Sequence, residues 1–170
     1  MDIQALHAFE DNYIWLLRDG RRVVAIDPGD ASPVLRYLEE QNASLAAILI
    51  THHHGDHSSG NIAFKGLVQH VLAHENSKAN QERVAKEKNN DGTQLYPDQT
   101  YTTTWSESIG GEEICLHYFG AGHTNGDSLV QFKKAGIVHL GDLMFNRRHP
   151  FIDKSAGASI SNWIYILDKA

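Results

Sequence analysis

Ile50-Thr51-His52-His53-His54-Gly55-Asp56-His57-Ser58-Ser59-Gly60 places three donor histidines and a carboxylate (His52, His54, Asp56 and His57) within six residues. The run before it, Ala46-Ala47-Ile48-Leu49-Ile50, is short, apolar and uncharged, so it reads as a buried strand. The residues after it lose all apolar periodicity, and Gly55 and Gly60 punctuate them, which predicts a loop leaving the strand's C-terminal end. Neutral imidazoles are good ligands for zinc and similar ions, and a carboxylate supplies a hard oxygen. A loop can wrap such donors around a small volume, whereas a strand or helix face cannot. His52 and His54 can turn toward one ion and Asp56 and His57 toward a second, with His53 pointing away. A tag-like histidine tract would not follow a core strand or interleave Asp and Gly.

Composition sets the outer bounds. One hundred and seventy residues with 41% hydrophobic and 21% charged side chains suit one soluble α/β domain spanning residues 1–170. A net charge of −6 without a basic patch argues against a nucleic-acid partner, which leaves a small-molecule substrate. No apolar run approaches membrane-spanning length, and Met1-Asp2-Ile3-Gln4 lacks the basic start of a signal peptide. The expected location is therefore the cytoplasm, unless a leader has been removed. Cys115, the one cysteine, excludes an internal disulfide and falls in an alternating run that reads as a packed strand.

Working outward, residues 3–9 and 13–18 read as strands, and Asp19-Gly20 as a hairpin turn into a third strand at 22–27. Ser32 and Pro33 are expected to open a helix carrying Val34, Leu35 and Leu38 at helical spacing. A short helix is expected at 61–68 and a strand at 70–74. Residues 75–91 are polar enough for a solvated helix and loop over the site's mouth. Strands are expected at 100–105, 112–119, 128–133 and 137–140, and an amphipathic helix at 156–169.

Two further stretches carry the same chemistry: Gly120-Ala121-Gly122-His123-Thr124-Asn125-Gly126-Asp127 and Gly141-Asp142, each following a strand. With the H-x-H-x-D-H pattern, they make the chain resemble the metallo-β-lactamase superfamily of metallohydrolases. That resemblance implies a four-layer αβ/βα sandwich and the following ligand set. His52, His54 and His123 would bind one metal, Asp56 and His57 a second, and Asp142 would bridge the two. It also implies one or two zinc ions, with iron or manganese as substitutes. Such ions lower a bridging water's pKa to about 7, and the hydroxide formed attacks an ester-like carbonyl. Asp56 and Asp142 would then be the catalytic carboxylates. Asp27 is either a partner that holds the metal loop or a strand-end turn residue. His7, His70, His74, His117 and His139 read as packed or surface residues, and the segment carrying His149 as a wall of the cleft.

Within the superfamily, Ala8-Phe9-Glu10-Asp11-Asn12-Tyr13-Ile14-Trp15 and Asp27-Pro28-Gly29-Asp30-Ala31 resemble bacterial glyoxalase II (hydroxyacylglutathione hydrolase). From about residue 58 onward the chain resembles another branch, as if two family members were recombined. The family continues past its final helix to a strand bearing one more metal-two histidine, but this sequence stops at Ala170. The sandwich is therefore expected to be incomplete at the C-terminus, with a homodimer or domain-swapped assembly covering the exposed edge. The expected activity is hydrolysis of a thioester, ester, lactone or lactam. The competing expectation is a chimeric or truncated metal-binding scaffold with weak or no turnover.

Overall fold

The strand that delivers the histidine loop lies inside a six-stranded sheet with both faces covered. The computed structural model describes residues 2–170. Its first sheet contains β1 (Asp2–Ala8), β2 (Asn12–Asp19), β3 (Arg22–Ile26), β4 (Ser44–Ile50), β5 (His70–His74) and β6 (Gln99–Tyr101), in that order. The first three strands are antiparallel, and β3 to β6 run parallel. The second sheet pairs β7 (Thr104–Ile109), β8 (Glu112–His117), β9 (Leu129–Phe132) and β10 (Ile137–His139), all antiparallel. The helices are α1 (Ala31–Glu40), the single turn α2 (Gly55–Ser58), α3 (Glu75–Glu87) and α4 (Ile160–Lys169).

Alternation along the strands explains the layers, because successive side chains point to opposite faces. Ile14 and Leu16 of β2, Val23 and Ala25 of β3, and Ile48 and Ile50 of β4 pack beneath α1 with Val34 and Tyr37. Their neighbours Leu17, Val24, Ile26 and Leu49 face the other way and meet Ile114, Leu116, Val130 and Phe132 of the second sheet. Leu129, on the opposite face of β9, joins Leu143 and α4 residues Trp163 and Ile166. The order is therefore helix, sheet, sheet, helix, as the four-layer expectation had it.

Several local expectations shift. Asp30, not Ser32, caps α1, accepting from the Ser32 backbone N–H at 2.9 Å, so Pro33 falls inside the first turn. The expected strand at 100–105 is two strands, β6 and β7, which belong to different sheets. The helix at 61–68 is a 3-10 helix over Ser59–Phe64. The final helix starts at Ile160, after a 3-10 turn at Lys154–Ala156. Helix α3 packs beside β5 and β6 and buries Ser77, Asn80, Gln81 and Ala85, so it does not cover a mouth. Ile160, Ile164 and Leu167 of α4 remain exposed. Among the described residues no helix is long and apolar enough to cross a membrane.

Candidate metal centre

All six residues singled out in the sequence meet at one end of the two sheets. His52, His54, Asp56 and His57 leave the end of β4, with His54 as the cap of α2. His123 sits in the turn before β9, and Asp142 in a 3-10 turn just after β10. The first sheet thus supplies four donors and the second sheet two.

Donor atoms of His52, His54, His123 and Asp142 all lie within 4.8 Å of one another. The Nδ1 of His54 is 3.0 Å from the Nε2 of His52 and 3.0 Å from the Nε2 of His123. Asp142 Oδ2 is 3.5 Å from His123 Nε2 and 3.9 Å from His52 Nε2. Its other oxygen lies 3.2 Å from His57 Nε2, which is 3.4 Å from Asp56 Oδ2 on its other side. Asp142 therefore turns one oxygen toward each half of the cluster.

The chemistry of the donor set tests whether an ion fits. A carbonyl or carboxylate oxygen can only accept, so a ring nitrogen bonded to one must carry the hydrogen. His57 Nδ1 meets Asp27 Oδ2 at 3.0 Å, His54 Nε2 meets Asp153 Oδ2 at 2.9 Å, and His123 Nδ1 meets the Phe151 carbonyl at 2.7 Å. Thr51 Oγ1 donates to Asp27 Oδ2 at 2.6 Å, so at 3.2 Å from His52 Nδ1 it accepts. Each of the four imidazoles is thus fixed in the tautomer that aims a lone pair inward, as metal-binding histidines require. Burial, then the neighbouring imidazoles, hold His52 well below the ordinary histidine range. Burial likewise keeps His123 low, so both offer neutral rings. Burial opposes a charge on His57, but Asp27, Asp142 and Asp56 together raise its pKa. The buried Nε2 of His57 nonetheless has no hydrogen-bond partner in acceptable geometry. A field that favours a proton on that nitrogen would equally favour a divalent cation. The residues fit a metal.

Sequence reading left Asp27 between two roles, and the structure makes it a shared brace. Its carboxylate accepts from the Thr51 backbone N–H at 2.7 Å, from Thr51 Oγ1 and from His57. His139, read as packed, approaches it at 3.5 Å. Burial pushes the Asp27 carboxyl up, but His57 and His139 hold it below the usual carboxylate range. Two braces escaped the sequence reading. Asp127 accepts from Gly122 N, Thr124 N and Thr124 Oγ1 and so locks the turn that carries His123, while burial raises its pKa to about 6. Its Thr-x-x-Asp spacing was the available signal. Asp153 lies 99 residues from His54, and no spacing could have linked them. His53 turns away from the cluster, as expected, and its Nδ1 is buried without a partner.

The cluster opens into a cleft of about 660 Å³ walled by Tyr13, Trp15, Met144, Phe145 and His149, with Asp56 and Asp142 at its base. Met144, Phe145, Asn146, Arg148 and His149 line it, as expected of the segment carrying His149, whereas Asp11, Asn12, Tyr13 and Trp15 had gone unnoticed as a wall. Arg148 pairs with Asp11 across the rim.

Fold and site together define an α/β sandwich with a histidine–carboxylate cluster fit for a metal at the common end of its sheets. A model of the metallo-beta-lactamase superfamily matches residues 8–170, and the chain belongs to that superfamily. It is 64% identical over 55 residues to the hydroxyacylglutathione hydrolase of Chromohalobacter salexigens, a match covering 31% of this chain and 22% of that protein. With the hydroxyacylglutathione hydrolase of Shewanella sp. (strain ANA-3) it shares 49% over 77 residues, or 44% of this chain and 29% of that one. The matched stretch thus spans under a third of either relative's length. Among solved structures it is similar to the B3 metallo-beta-lactamase BLEG-1, with a TM-score of 0.79 at 20% identity over 98% of this chain and 84% of that one. The metallo-beta-lactamase from Pontibacter korlensis gives a TM-score of 0.71 at 20% identity, covering 98% and 79%. At such identity these likenesses speak to fold alone.

Proposed function

We propose that the chain is a metal-dependent hydrolase acting on an ester-like carbonyl, with a thioester as the first substrate class. The observation that carries this reading is the set of four imidazoles, each tied to an outer acceptor and aimed inward. His52, His54 and His123 would hold one ion, Asp56 and His57 a second, and Asp142 would serve both. Zinc is the default, with iron or manganese accepted according to supply. Bound ions supply Lewis acidity and acidify a water molecule.

The chain's own residues do the rest. Asp56 Oδ2 is half exposed toward the cleft and accepts from Asn12 Nδ2 at 3.1 Å, so it is aimed and free to take a proton. His57 and Asn12 hold its carboxyl below the usual range against the effect of burial, which keeps it ionised at neutral pH. Tyr13, Trp15 and Phe145 give the cleft aromatic walls against which an acyl group can exclude water. The local identity to hydroxyacylglutathione hydrolases supports a thioester. A single buried cysteine suits a reducing cytoplasm.

Elemental analysis of protein purified without chelator, joined to assays on thioesters, lactones and lactams, tests the reading. Close to two ions per chain and turnover that His52→Ala abolishes are expected. Bound metal without turnover on any of these classes would leave a metal-binding scaffold, and no bound metal would overturn the reading.

A further inference from the structure

His54 is the odd member of the cluster. The other three imidazoles offer Nε2 and are held at Nδ1, whereas His54 offers Nδ1 and is held at Nε2 by Asp153. The Asp153 carboxylate is itself fixed, because its Oδ1 accepts from Ser155 Oγ at 2.5 Å and from the Ala156 backbone N–H at 3.1 Å. That leaves Oδ2 facing the imidazole. The backbone N–H of Asp153 donates to the His123 carbonyl at 3.1 Å, and two residues earlier the Phe151 carbonyl takes the His123 Nδ1 hydrogen. Farther along, Asn125 N donates to Ala156 O and Ser159 N to Gly122 O, so residues 151–159 are laced to the turn that carries His123.

We infer that Asp153 is a positioning residue, one that sets the His54 tautomer and so makes Nδ1 available to the first metal. The inference rests on the metal-centre reading proposed above. An imidazole carries one hydrogen when neutral, and only an acceptor at Nε2 keeps that hydrogen off Nδ1. The geometry makes the carboxylate the acceptor: Oδ1 takes hydrogens from Ser155 Oγ and the Ala156 backbone, and Oδ2 meets His54 Nε2 at 2.9 Å.

Asp153→Asn reverses this logic with little change of shape. Its oxygen would remain on Ser155 and Ala156, where only an acceptor fits, and its NH₂ would face His54 Nε2. The imidazole would then have to move its hydrogen to Nδ1, the atom the ion needs. Zinc affinity of the full chain, measured by competition with a chromophoric chelator, should fall roughly 10- to 100-fold for the tighter ion. Lys154→Ala changes an exposed side chain of the same turn without touching Asp153 or His54 and should leave affinity unchanged.

Equal affinity in Asp153→Asn and wild type would overturn the inference, as would an equal loss in Lys154→Ala. His53, His54 and Asp153 also lie close enough to hold an ion by themselves. An additional zinc that Asp153→Asn removes, with the tighter ion unaffected, would make Asp153 a ligand and overturn its positioning role. Should the variant not fold, nitrogen NMR of zinc-loaded wild type decides: metal on Nδ1 and hydrogen on Nε2 of His54 are expected, and the opposite pattern overturns the idea. Wild type that takes up no zinc would instead sink the metal-centre reading, and this inference with it.

Discussion

Gly29 has no side chain, yet it is one of the residues on which the metal loop is built. A Cβ placed there would lie 1.7 Å from the backbone oxygen of Asp56 and 2.9 Å from the nitrogen of His57. The exit of β3 therefore presses directly on the backbone that aims the Asp56 and His57 side chains, and only hydrogen fits between them. Gly29→Ala should cost on the order of 3 kcal/mol through forced backbone displacement and should also weaken metal binding. Gly20→Ala is the matched control. Gly20 has φ +58 in the β2–β3 turn, with open space where a Cβ would go. That change should cost about 1–2 kcal/mol as left-handed strain and spare the metal. Thermal unfolding and zinc competition on both variants check this; equal zinc affinity in the two would show that the Gly29 contact does not shape the site. At this scale the sequence was legible where donors crowd together. His52, His54, Asp56 and His57 announce themselves by density, and His123 and Asp142 by following strands. The outer acceptors do not. A carboxylate such as Asp153 or a carbonyl such as Phe151 acquires its role only when tertiary structure brings it against an imidazole.

At the scale of elements, α4 matters through one side chain. Trp163 is buried, its Nε1–H donates to the Leu143 carbonyl at 2.9 Å, and its ring lies 5.9 Å from that of His123. Leu143 directly follows Asp142, so the helix anchors the turn that holds the shared carboxylate. Trp163→Ala should cost about 3–5 kcal/mol, whereas Trp163→Phe keeps most of the packing and should cost about 1 kcal/mol for the carbonyl left unsatisfied. Chemical denaturation of both variants gives these values, and a loss of under about 1 kcal/mol for the alanine variant would contradict so central a packing role. The strands from β2 to β5 could be read from their period-two alternation because both faces meet apolar layers. The division at Thr102 could not. Thr100, Thr102, Thr103 and Thr104 favour extended backbone throughout, and propensity does not say that the chain leaves one sheet after Tyr101 and enters the other at Thr104.

For the molecule as a whole, the histidine–carboxylate cluster is a clasp between two sheets. Between them lies an apolar layer built from Leu17, Val24, Ile26 and Leu49 on one side and Ile114, Leu116, Val130 and Phe132 on the other. At its end, donors from both sheets converge. An ion bound to His52 and His54 from one sheet and to His123 and Asp142 from the other would add a cross-link that the unfolded chain lacks. Ligand binding to the native state alone adds about 4 kcal/mol when free metal stands a thousandfold above its dissociation constant. For a domain of this size that corresponds to a rise of roughly 8–16 °C in the unfolding midpoint. Chelation should remove this increment. It should also speed hydrogen exchange at the clasp, in residues 51–58, 120–127 and 151–156, more than in β3 and β4, whose apolar contacts do not depend on metal. Equal unfolding midpoints with and without chelator, in protein shown to carry metal, would mean that the two sheets are held by their apolar layer alone.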